Sequence, residues 1–227
     1  MITAIVLSAG KGTRMNSVVA KQYLELKGKP VLYYSLKAFQ DSRVDEIVVV
    51  TGEEDIEFVK TEIIDKYNIR KVKAVVAGGE YRFSSVYNGL MAANDNTDYV
   101  FIHDGARPLI TPNMVEKLYY EVKQNKAVVA ACPTKDTIKV VDENGKVVNT
   151  PPRNSLWQVQ TPQTFEYKLV KSAYNRLMES GDLSATDDAM VVETYGDTPV
   201  YLTDTGYSNI KITTPEDMKL AEVLLEI

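Results

Sequence analysis

Residues 4–15 read AIVLSAGKGTRM, in which a short apolar run, Ala4–Leu7, leads directly into a loop that contains Gly10 and Gly12. In α/β sheets, a glycine-rich loop at the carboxyl end of the first strand binds phosphate, because small residues let backbone N–H groups approach phosphate oxygens closely. The spacing fits neither the P-loop, GxxxxGK[ST], nor the dinucleotide fingerprint, whose third glycine is replaced by Met15. The stretch therefore predicts an α/β fold with an anion site at its first loop.

Positive charge is concentrated around this loop. Arg14 lies within it and Lys21 follows seven residues later, and two cations beside a glycine loop suit a triphosphate whose charge must be offset as a bond breaks. Residues 1–37 hold six basic residues and one acidic residue, whereas the whole chain of 227 residues has a net charge of −5. A basic patch in an acidic protein favours a small anionic ligand, and we expect no nucleic-acid partner.

Short apolar runs alternate with segments of helical period along the chain. The runs predict buried strands at Ala4–Leu7, Ile47–Thr51, Val72–Ala77, Tyr99–His103 and Val128–Cys132. Near-continuous apolar strands of this kind are typical of a parallel sheet that is covered on both faces. We therefore expect a single α/β domain over residues 1–227, with a mostly parallel, twisted sheet between two layers of helices.

One segment interrupts this alternation. Thr137–Val141 and Lys146–Thr150 flank the turn sequence Asp-Glu-Asn-Gly, which predicts a β-hairpin within a protruding arm over about residues 135–155. The apolar face of such an arm is covered either by its own domain or by a second subunit. After the arm, the sequence predicts a strand at Asn209–Thr213 and a helix from Pro215 to about Leu225.

The composition excludes several classes of protein. A single cysteine, Cys132, excludes an intrachain disulfide and a cysteine-cluster metal site, and a single histidine, His103, excludes a multi-histidine zinc site. A cytoplasmic, reducing compartment is the simplest interpretation. The first residues lack the pattern of a signal peptide, and no stretch approaches the roughly 20 apolar residues that a membrane-spanning helix needs.

Six ordered motifs give the chain a wider resemblance. They are AGKGTRM with the following Lys21-Gln22 and GKPVL, then GGE with Arg82, Ser85 and NGL, then HDGARP at 103–108, QTPQ at 160–163, TDDA at 186–189 and NIKIT at 209–213. Together they resemble the cytidylyltransferases of non-mevalonate isoprenoid synthesis, over nearly the whole chain. The resemblance implies a Rossmann-like nucleotidyltransferase fold and transfer of a cytidylyl group from CTP to 2-C-methyl-D-erythritol 4-phosphate, forming 4-CDP-2-C-methyl-D-erythritol and pyrophosphate.

The resemblance also implies roles for charged residues. Arg14 and Lys21 match the residues that stabilise the triphosphate in the transition state, and Asp104 matches the residue that helps to hold Mg²⁺ on the phosphates. Arg153 and Lys211 match the residues that position the attacking phosphate. The family is a homodimer in which the arm of one subunit reaches over the active site of the other.

Further substrate contacts follow from the same resemblance. Glu80 differs from several family members, which carry Asp there. The nucleotide is expected to contact Ala9, Gly10, Gly12, Gly79, Glu80 and Ser85, and the polyol phosphate is expected to contact Arg107, Thr137 and Thr161.

The proposed chemistry agrees with the residues available. A phosphate monoester is largely dianionic at pH 7 and needs no general base, which suits a chain with one histidine. Catalysis then depends on positioning and positive charge. The closest alternative substrate is ribitol 5-phosphate, since motifs around the triphosphate do not distinguish similar polyol phosphates. A nucleotide-binding regulator and a dinucleotide-dependent dehydrogenase are the alternatives from other classes.

Overall fold

A computed structural model describes residues 1–10 and 20–226. Within them, seven strands form one sheet in the order β11-β7-β10-β6-β1-β4-β5. The helices and strands have these bounds: β1 Ile2–Leu7, β2 Glu25–Leu26, β3 Lys29–Pro30, α1 Val31–Gln40, β4 Glu46–Thr51, α2 Ile56–Phe58 continued by a π-helical segment Val59–Asp65, β5 Val72–Ala77, α3 Arg82–Ala92, β6 Tyr99–Asp104, α4 Pro112–Asn125, β7 Ala127–Pro133, β8 Val140–Val141, β9 Val147–Asn149, β10 Trp157–Glu166, α5 Tyr167–Ser180, α6 Asp188–Tyr195, β11 Tyr201–Asp204 and α7 Pro215–Leu224.

The sheet is mostly parallel, as the sequence predicts. β1 pairs in parallel with β4 and β6, β4 with β5, and β7 with β11, whereas β10 runs antiparallel to both β6 and β7. The five predicted strands are all present. Among the described residues, no helix has both the length and the apolar character needed to cross a membrane.

Helices cover both faces of the sheet, and β1 shows this most directly. Ala4 and Val6 pack into one buried cluster with α1 and α4, while Ile5 packs into the opposite cluster with α3, α5 and α6. Alternate side chains of a strand point to opposite faces. The run Ala4–Leu7, which is apolar at every position, therefore lies between two helical layers, as the sequence predicts.

The predicted strand at Asn209–Thr213 is wrong. The segment forms no strand; instead the Ile212 N–H donates to the Ala106 carbonyl at 2.8 Å, and the Ile212 side chain is buried in a third cluster with Leu26 and Leu109. Its alternating apolar residues pack beneath α7, which begins at Pro215, as predicted. A short apolar run can thus be buried without entering the sheet.

The sequence reasoning also missed β10 and β11. β10 is largely polar, and its pairing with β7 shifts register between Val159 and Gln163, around Pro162. Proline and consecutive polar residues argue against a central strand, which explains why β10 was missed. β11 is a four-residue edge strand, too short for a periodic signal.

The predicted arm is an exposed hairpin. β8 and β9 pair antiparallel around a turn that contains Gly145, whose φ of 79° lies in the left-handed region. The paired strands are shorter than predicted, and every residue from Lys135 to Asn149 is exposed. The assignment of one domain with an inserted arm stays a prediction.

Gly89 on α3 provides a test of this packing. A Cβ at Gly89 would lie 2.5 Å from Ile5 Cγ2 and 3.0 Å from Val50 Cγ2, both on buried strands. We expect Gly89→Ala to lower the free energy of unfolding by about 1–3 kcal/mol, although alanine is normally favoured over glycine in a helix. Urea denaturation measures the change. Met91→Ala, at an exposed position of the same helix, is the control; equal effects of the two substitutions would contradict close packing at Gly89.

Candidate active site

An open cleft lies at the carboxyl ends of the central strands. Leu7, the last residue of β1, pairs in register with Asp104, the last residue of β6, so that both strands end at the same edge. This is where ligands bind in open α/β sheets. The cleft has a volume of about 240 Å³ and is lined, among the described residues, by Leu7, Ser8, Ala9, Gly10, Lys21, Gln22, Gly79, Glu80, Tyr81, Arg82, Ser85, Asp104, Ala106 and Lys211.

The first loop is held by a buried amide. Gln22 is only 3% exposed, and its side-chain N–H groups donate to the Ser8 carbonyl and, at 3.2 Å, to the Gly10 carbonyl. The backbone N–H of Ser8 donates to the Val50 carbonyl at 2.7 Å. The Ser8 and Gly10 carbonyls therefore both point toward Gln22, and this fixes the path of the chain as it leaves β1.

The loop at Gly78-Gly79 requires glycine for steric reasons. A Cβ at Gly78 would lie 2.5 Å from the Ala9 Cβ, and a Cβ at Gly79 would overlap Ser84 on α3. The Ser85 hydroxyl accepts from the Gly79 N–H at 3.0 Å and donates to the Tyr81 carbonyl at 3.2 Å. Ser85 thus shapes the loop that brings Gly79 beside the first loop.

Asp104 is the carboxylate at the centre of the charged part of the cleft. Lys211 Nζ lies 2.7 Å from its Oδ2, and Arg82 Nε lies 3.5 Å from its Oδ1. Burial alone would raise the pKa of Asp104, but the positive charges of Arg82 and Lys211 outweigh it and hold the pKa well below its usual range. Asp104 is therefore ionised at neutral pH.

The backbone places Lys211 on Asp104. The Gly105 N–H donates to the Leu7 carbonyl at 2.8 Å, which fixes the turn after β6. Because Ile212 donates to the Ala106 carbonyl, the NIK segment runs alongside this turn, and Lys211 lines the cleft next to Asp104. Two motifs that are remote in sequence are thus joined by backbone hydrogen bonds.

Arg82, the first residue of α3, joins the cleft to the protein interior. Its two terminal nitrogens donate to the two carboxylate oxygens of Asp188 at 2.9 and 2.8 Å. Asp188 is fully buried, and its Oδ1 also accepts from the Tyr174 hydroxyl at 2.5 Å. Burial alone would lower the pKa of Arg82, but the Asp188 and Asp104 carboxylates hold it well above its usual value.

The cleft brings together most of the predicted site residues. Those at the cleft are Ala9, Gly10, Lys21, Gly79, Glu80, Ser85, Asp104 and Lys211. Arg14 and Gly12 lie outside the described residues. The roles assigned to all these residues stay predictions.

Four predicted residues lie outside the cleft lining. Thr137 and Arg153 are exposed on the arm, where Arg153 donates to the Lys135 carbonyl at 3.2 Å. Arg107 donates to the Asn209 carbonyl at 2.7 Å, and Thr161 is buried with its hydroxyl accepting from the Asp104 N–H at 3.0 Å. Arg107 and Thr161 thus support the turn around Asp104, and their contact with substrate stays a prediction.

The sequence does not predict the residues that hold the loops and the charged side chains of the cleft in place. Gln22 and Arg82 belong to the quoted motifs, but no structural role was assigned to them. Asp188 belongs to the TDDA motif, and Tyr174 belongs to none of the quoted motifs. An aspartate in the first turn of a helix is explained by the helix dipole alone, so no local signal marks Asp188 as the partner of Arg82.

Asp104 and Glu80 are the carboxylates of the cleft lining. No group of three or more potential metal ligands occurs in the part of the chain that the structure describes. Mg²⁺ is usually held by one or two carboxylates together with substrate phosphates rather than by a cage of protein ligands. The cleft therefore fits a metal ion that arrives with a phosphorylated ligand.

Comparison with known proteins agrees with this geometry. The family described as 2-C-methyl-D-erythritol 4-phosphate cytidylyltransferase matches residues 2–227. The chain belongs to this family. A member so named from Lachnospira eligens is 51% identical over 228 residues, covering 100% of both chains, and one from Lachnoclostridium phytofermentans is 50% identical over 224 residues, covering 99% of this chain and 96% of the relative.

Solved structures of the same family share the fold. The crystal structure of 4-diphosphocytidyl-2C-methyl-D-erythritol synthase from Anaerococcus prevotii superposes with a TM-score of 0.87 at 34% identity, covering 100% of this chain and 96% of that one. The 2-C-methyl-D-erythritol 4-phosphate cytidylyltransferase from Thermus thermophilus gives a TM-score of 0.78 at 29% identity, with 98% of each chain covered. The expected nucleotidyltransferase fold is thereby confirmed.

His103, beside the site, is held as a neutral imidazole. Its Nε2 lies 3.2 Å from the Arg107 carbonyl, which can only accept, so that Nε2 carries the proton. Nδ1 then accepts from the Thr161 hydroxyl at 3.1 Å. Complete burial is the main reason that the pKa of His103 is lowered to about 4.

This burial predicts how stability depends on pH. The unfolded chain binds a proton on His103 near pH 6.5 and the folded chain only near 4, so up to about 3 kcal/mol of unfolding free energy is lost as the pH falls through that range. We expect a smaller loss over this range in His103→Gln, measured by urea denaturation. Because the comparison concerns the slope of the unfolding free energy against pH, a variant that is less stable at every pH can still be used. Equal slopes, or an imidazole NMR titration near 6.5, would contradict burial.

Proposed function

We propose that this chain transfers the cytidylyl group from CTP to 2-C-methyl-D-erythritol 4-phosphate, releasing pyrophosphate, as a step of isoprenoid precursor synthesis. One observation carries the proposal: Arg82 and Lys211 pair with the ionised Asp104 carboxylate in a cleft that Lys21 and the glycine loop also line. Such an arrangement neutralises phosphates rather than moving protons.

The reaction needs no protein base. A phosphate oxygen of the polyol substrate attacks the α-phosphorus of CTP, that P–O bond forms, and the bond to the bridging oxygen of the pyrophosphate breaks. The attacking group is already an anion at neutral pH. His103, the only histidine, is buried, neutral and bonded to protein atoms on both nitrogens, so it is not available for proton transfer. The barrier is repulsion between two anions, which cations at the cleft reduce.

Mg²⁺ is the proposed cofactor, with Asp104 as its protein ligand. When bound, the ion neutralises charge on the triphosphate and on the leaving pyrophosphate. The low pKa of Asp104 supports this role, because the carboxylate is ionised without having to lose a proton. Lys211 stands 2.7 Å away on the same carboxylate and compensates its charge in the absence of ligand.

Methylerythritol phosphate is favoured over ribitol 5-phosphate as the acceptor. The matched family and the relatives described above carry methylerythritol phosphate in their names. The charged groups of the cleft suit phosphates, which the two acceptors share, so that the family relationship rather than the cleft supports this choice.

Pyrophosphate release tests the function. We expect turnover with CTP and 2-C-methyl-D-erythritol 4-phosphate. Turnover with ribitol 5-phosphate should be at least about tenfold lower, because one altered polyol contact costs about 1–3 kcal/mol. EDTA should abolish turnover, and added Mg²⁺ should restore it. Lys211→Ala, which removes a cation from Asp104, is the matched inactive control. Turnover with ribitol 5-phosphate alone would contradict the proposed acceptor, and full activity in EDTA would contradict the metal.

A homodimer assembled through the arm completes the proposal. Val140, Val141, Val147 and Val148 on the hairpin are 44–59% exposed, and an apolar hairpin of this kind is expected to be covered in solution. Arg153 and Thr137 lie at the base of the same arm, outside the cleft lining of their own chain. We propose that they serve the site of the second subunit.

The single cysteine supports a cytoplasmic location.

Mixing two inactive variants tests the exchange of arms. In a heterodimer of Arg153→Ala with Lys211→Ala, one of the two sites has an intact cleft and an intact arm. Random mixing of equal amounts should therefore restore about a quarter of wild-type turnover. The control is the double variant Arg153→Ala/Lys211→Ala mixed with wild type, whose heterodimers hold no complete site. If the arms are exchanged, only the wild-type homodimers of this control are active, which again gives about a quarter of wild-type turnover. Half of wild-type turnover in the control, with none in the mixture of the two single variants, would mean that Arg153 acts within its own chain.

A further inference from the structure

Arg82 has two carboxylates within reach and binds only one of them closely. Its side chain is 29% exposed and lines the cleft, while Asp188 behind it is completely buried. The terminal nitrogens pair with Asp188 at 2.9 and 2.8 Å, and only Nε faces Asp104, at 3.5 Å. The guanidinium thus uses its strongest geometry, the bidentate fork, on the residue farther from the substrates.

Asp188 is itself rigidly held. The Tyr174 hydroxyl donates to its Oδ1 at 2.5 Å. The start of α6 is fixed to the sheet by Gln163 on β10, which accepts from the Ala189 N–H at 2.7 Å and donates to Asp187 at 2.9 Å. Neither Asp188 nor Tyr174 lines the cleft. The pair with Arg82 is therefore built from behind the site.

Without Asp188, the same guanidinium would take Asp104 instead. An arginine beside an ionised carboxylate prefers two parallel hydrogen bonds, and that arrangement would occupy both Asp104 oxygens. Asp104 would then hold Lys211 and Arg82 together and would be a poor ligand for a cation. Asp188 prevents this by binding the two nitrogens that such a fork requires.

We propose that Asp188 is a positioning residue for the reaction: it holds Arg82 so that the guanidinium faces the cleft and the Asp104 carboxylate stays available to the metal–triphosphate. The proposal rests on the function proposed above. Arg82 then contributes a fixed positive charge without capturing the metal ligand. Tyr174 assists by fixing the Asp188 carboxylate.

A purely structural role for the pair makes a different prediction. Removing one member of a buried ion pair leaves an uncompensated charge and lowers stability, whereas replacing both by apolar residues of similar volume is often tolerated. If the pair only stabilises the fold, Arg82→Met/Asp188→Leu should restore both stability and function. If Asp188 positions Arg82, the double variant should fold but stay impaired, because the charge at the cleft is missing.

The experiment compares Asp188→Asn with this double variant. We expect Asp188→Asn to raise the Mg²⁺ concentration for half-maximal turnover by about tenfold or more, the usual loss when a group that orients a metal ligand is removed. In calorimetry it should weaken CTP binding in the presence of Mg²⁺ by a similar factor. The double variant should return to the wild-type Mg²⁺ requirement, because no arginine competes for Asp104. Its turnover should still be at least about tenfold below that of wild type, which is the usual loss when one charge-stabilising donor is removed.

Asp197→Asn is the matched control. Asp197 forms an exposed pair with Arg176 at 3.4 Å, and asparagine tolerates its positive φ, so this variant should bind CTP and turn over like wild type. An unchanged Mg²⁺ requirement and CTP affinity in Asp188→Asn, or wild-type turnover in the double variant, would overturn the proposal. If wild type releases no pyrophosphate, the proposed function fails, and the calorimetric comparison still decides the role of Asp188.

Discussion

A carboxylate at the end of a buried strand has to be matched by positive charge, and the cleft is arranged around the way in which Asp104 meets this requirement. β6 carries the residue to the carboxyl edge of the sheet, where burial disfavours its charge. Lys211 of the NIK segment contacts one of its oxygens, and Arg82 at the start of α3 faces the other. The pairing stabilises the folded chain and at the same time collects the cations that a triphosphate needs.

The glycines serve a different purpose from the cations. Gly78 and Gly79 let the loop after β5 approach Ala9 and α3 more closely than any side chain would allow. Gln22 holds the facing loop by its carbonyls. The two glycine loops of the cleft are therefore held by a buried amide, Gln22, and a buried hydroxyl, Ser85, rather than by the charged side chains.

The sequence predicts those parts of the molecule that depend on local pattern. β1, β4, β6 and β7 contain continuous apolar runs, and their burial on both faces follows directly, whereas the edge strand β5 is only partly buried. The parallel sheet and the glycine loop follow from the same pattern. The significance of the ordered motifs and the choice of CTP as substrate come from the family resemblance and not from these local patterns.

Long-range contacts account for what the sequence could not predict. Arg82 and Asp188 are 106 positions apart, and neither carries a local signal for the other. The polar strand β10 is accepted into the sheet because its side chains bond to neighbours, as Gln163 does with the start of α6. The Asn209–Thr213 segment shows the reverse case, in which an apolar alternation is buried beneath α7 without joining the sheet.

The two cations on Asp104 differ in how firmly they are held, and this difference fits their positions. A guanidinium is planar and is fixed when both terminal nitrogens are bound, as Arg82 is by Asp188. An ammonium on a flexible stem makes point contacts and can move with little loss of geometry. The chemistry of Lys211 therefore suits a contact that can be exchanged, whereas Arg82 is held in one position by Asp188. The position that needs a fixed charge is thus occupied by a guanidinium, and the position that suits an adaptable charge is occupied by an ammonium.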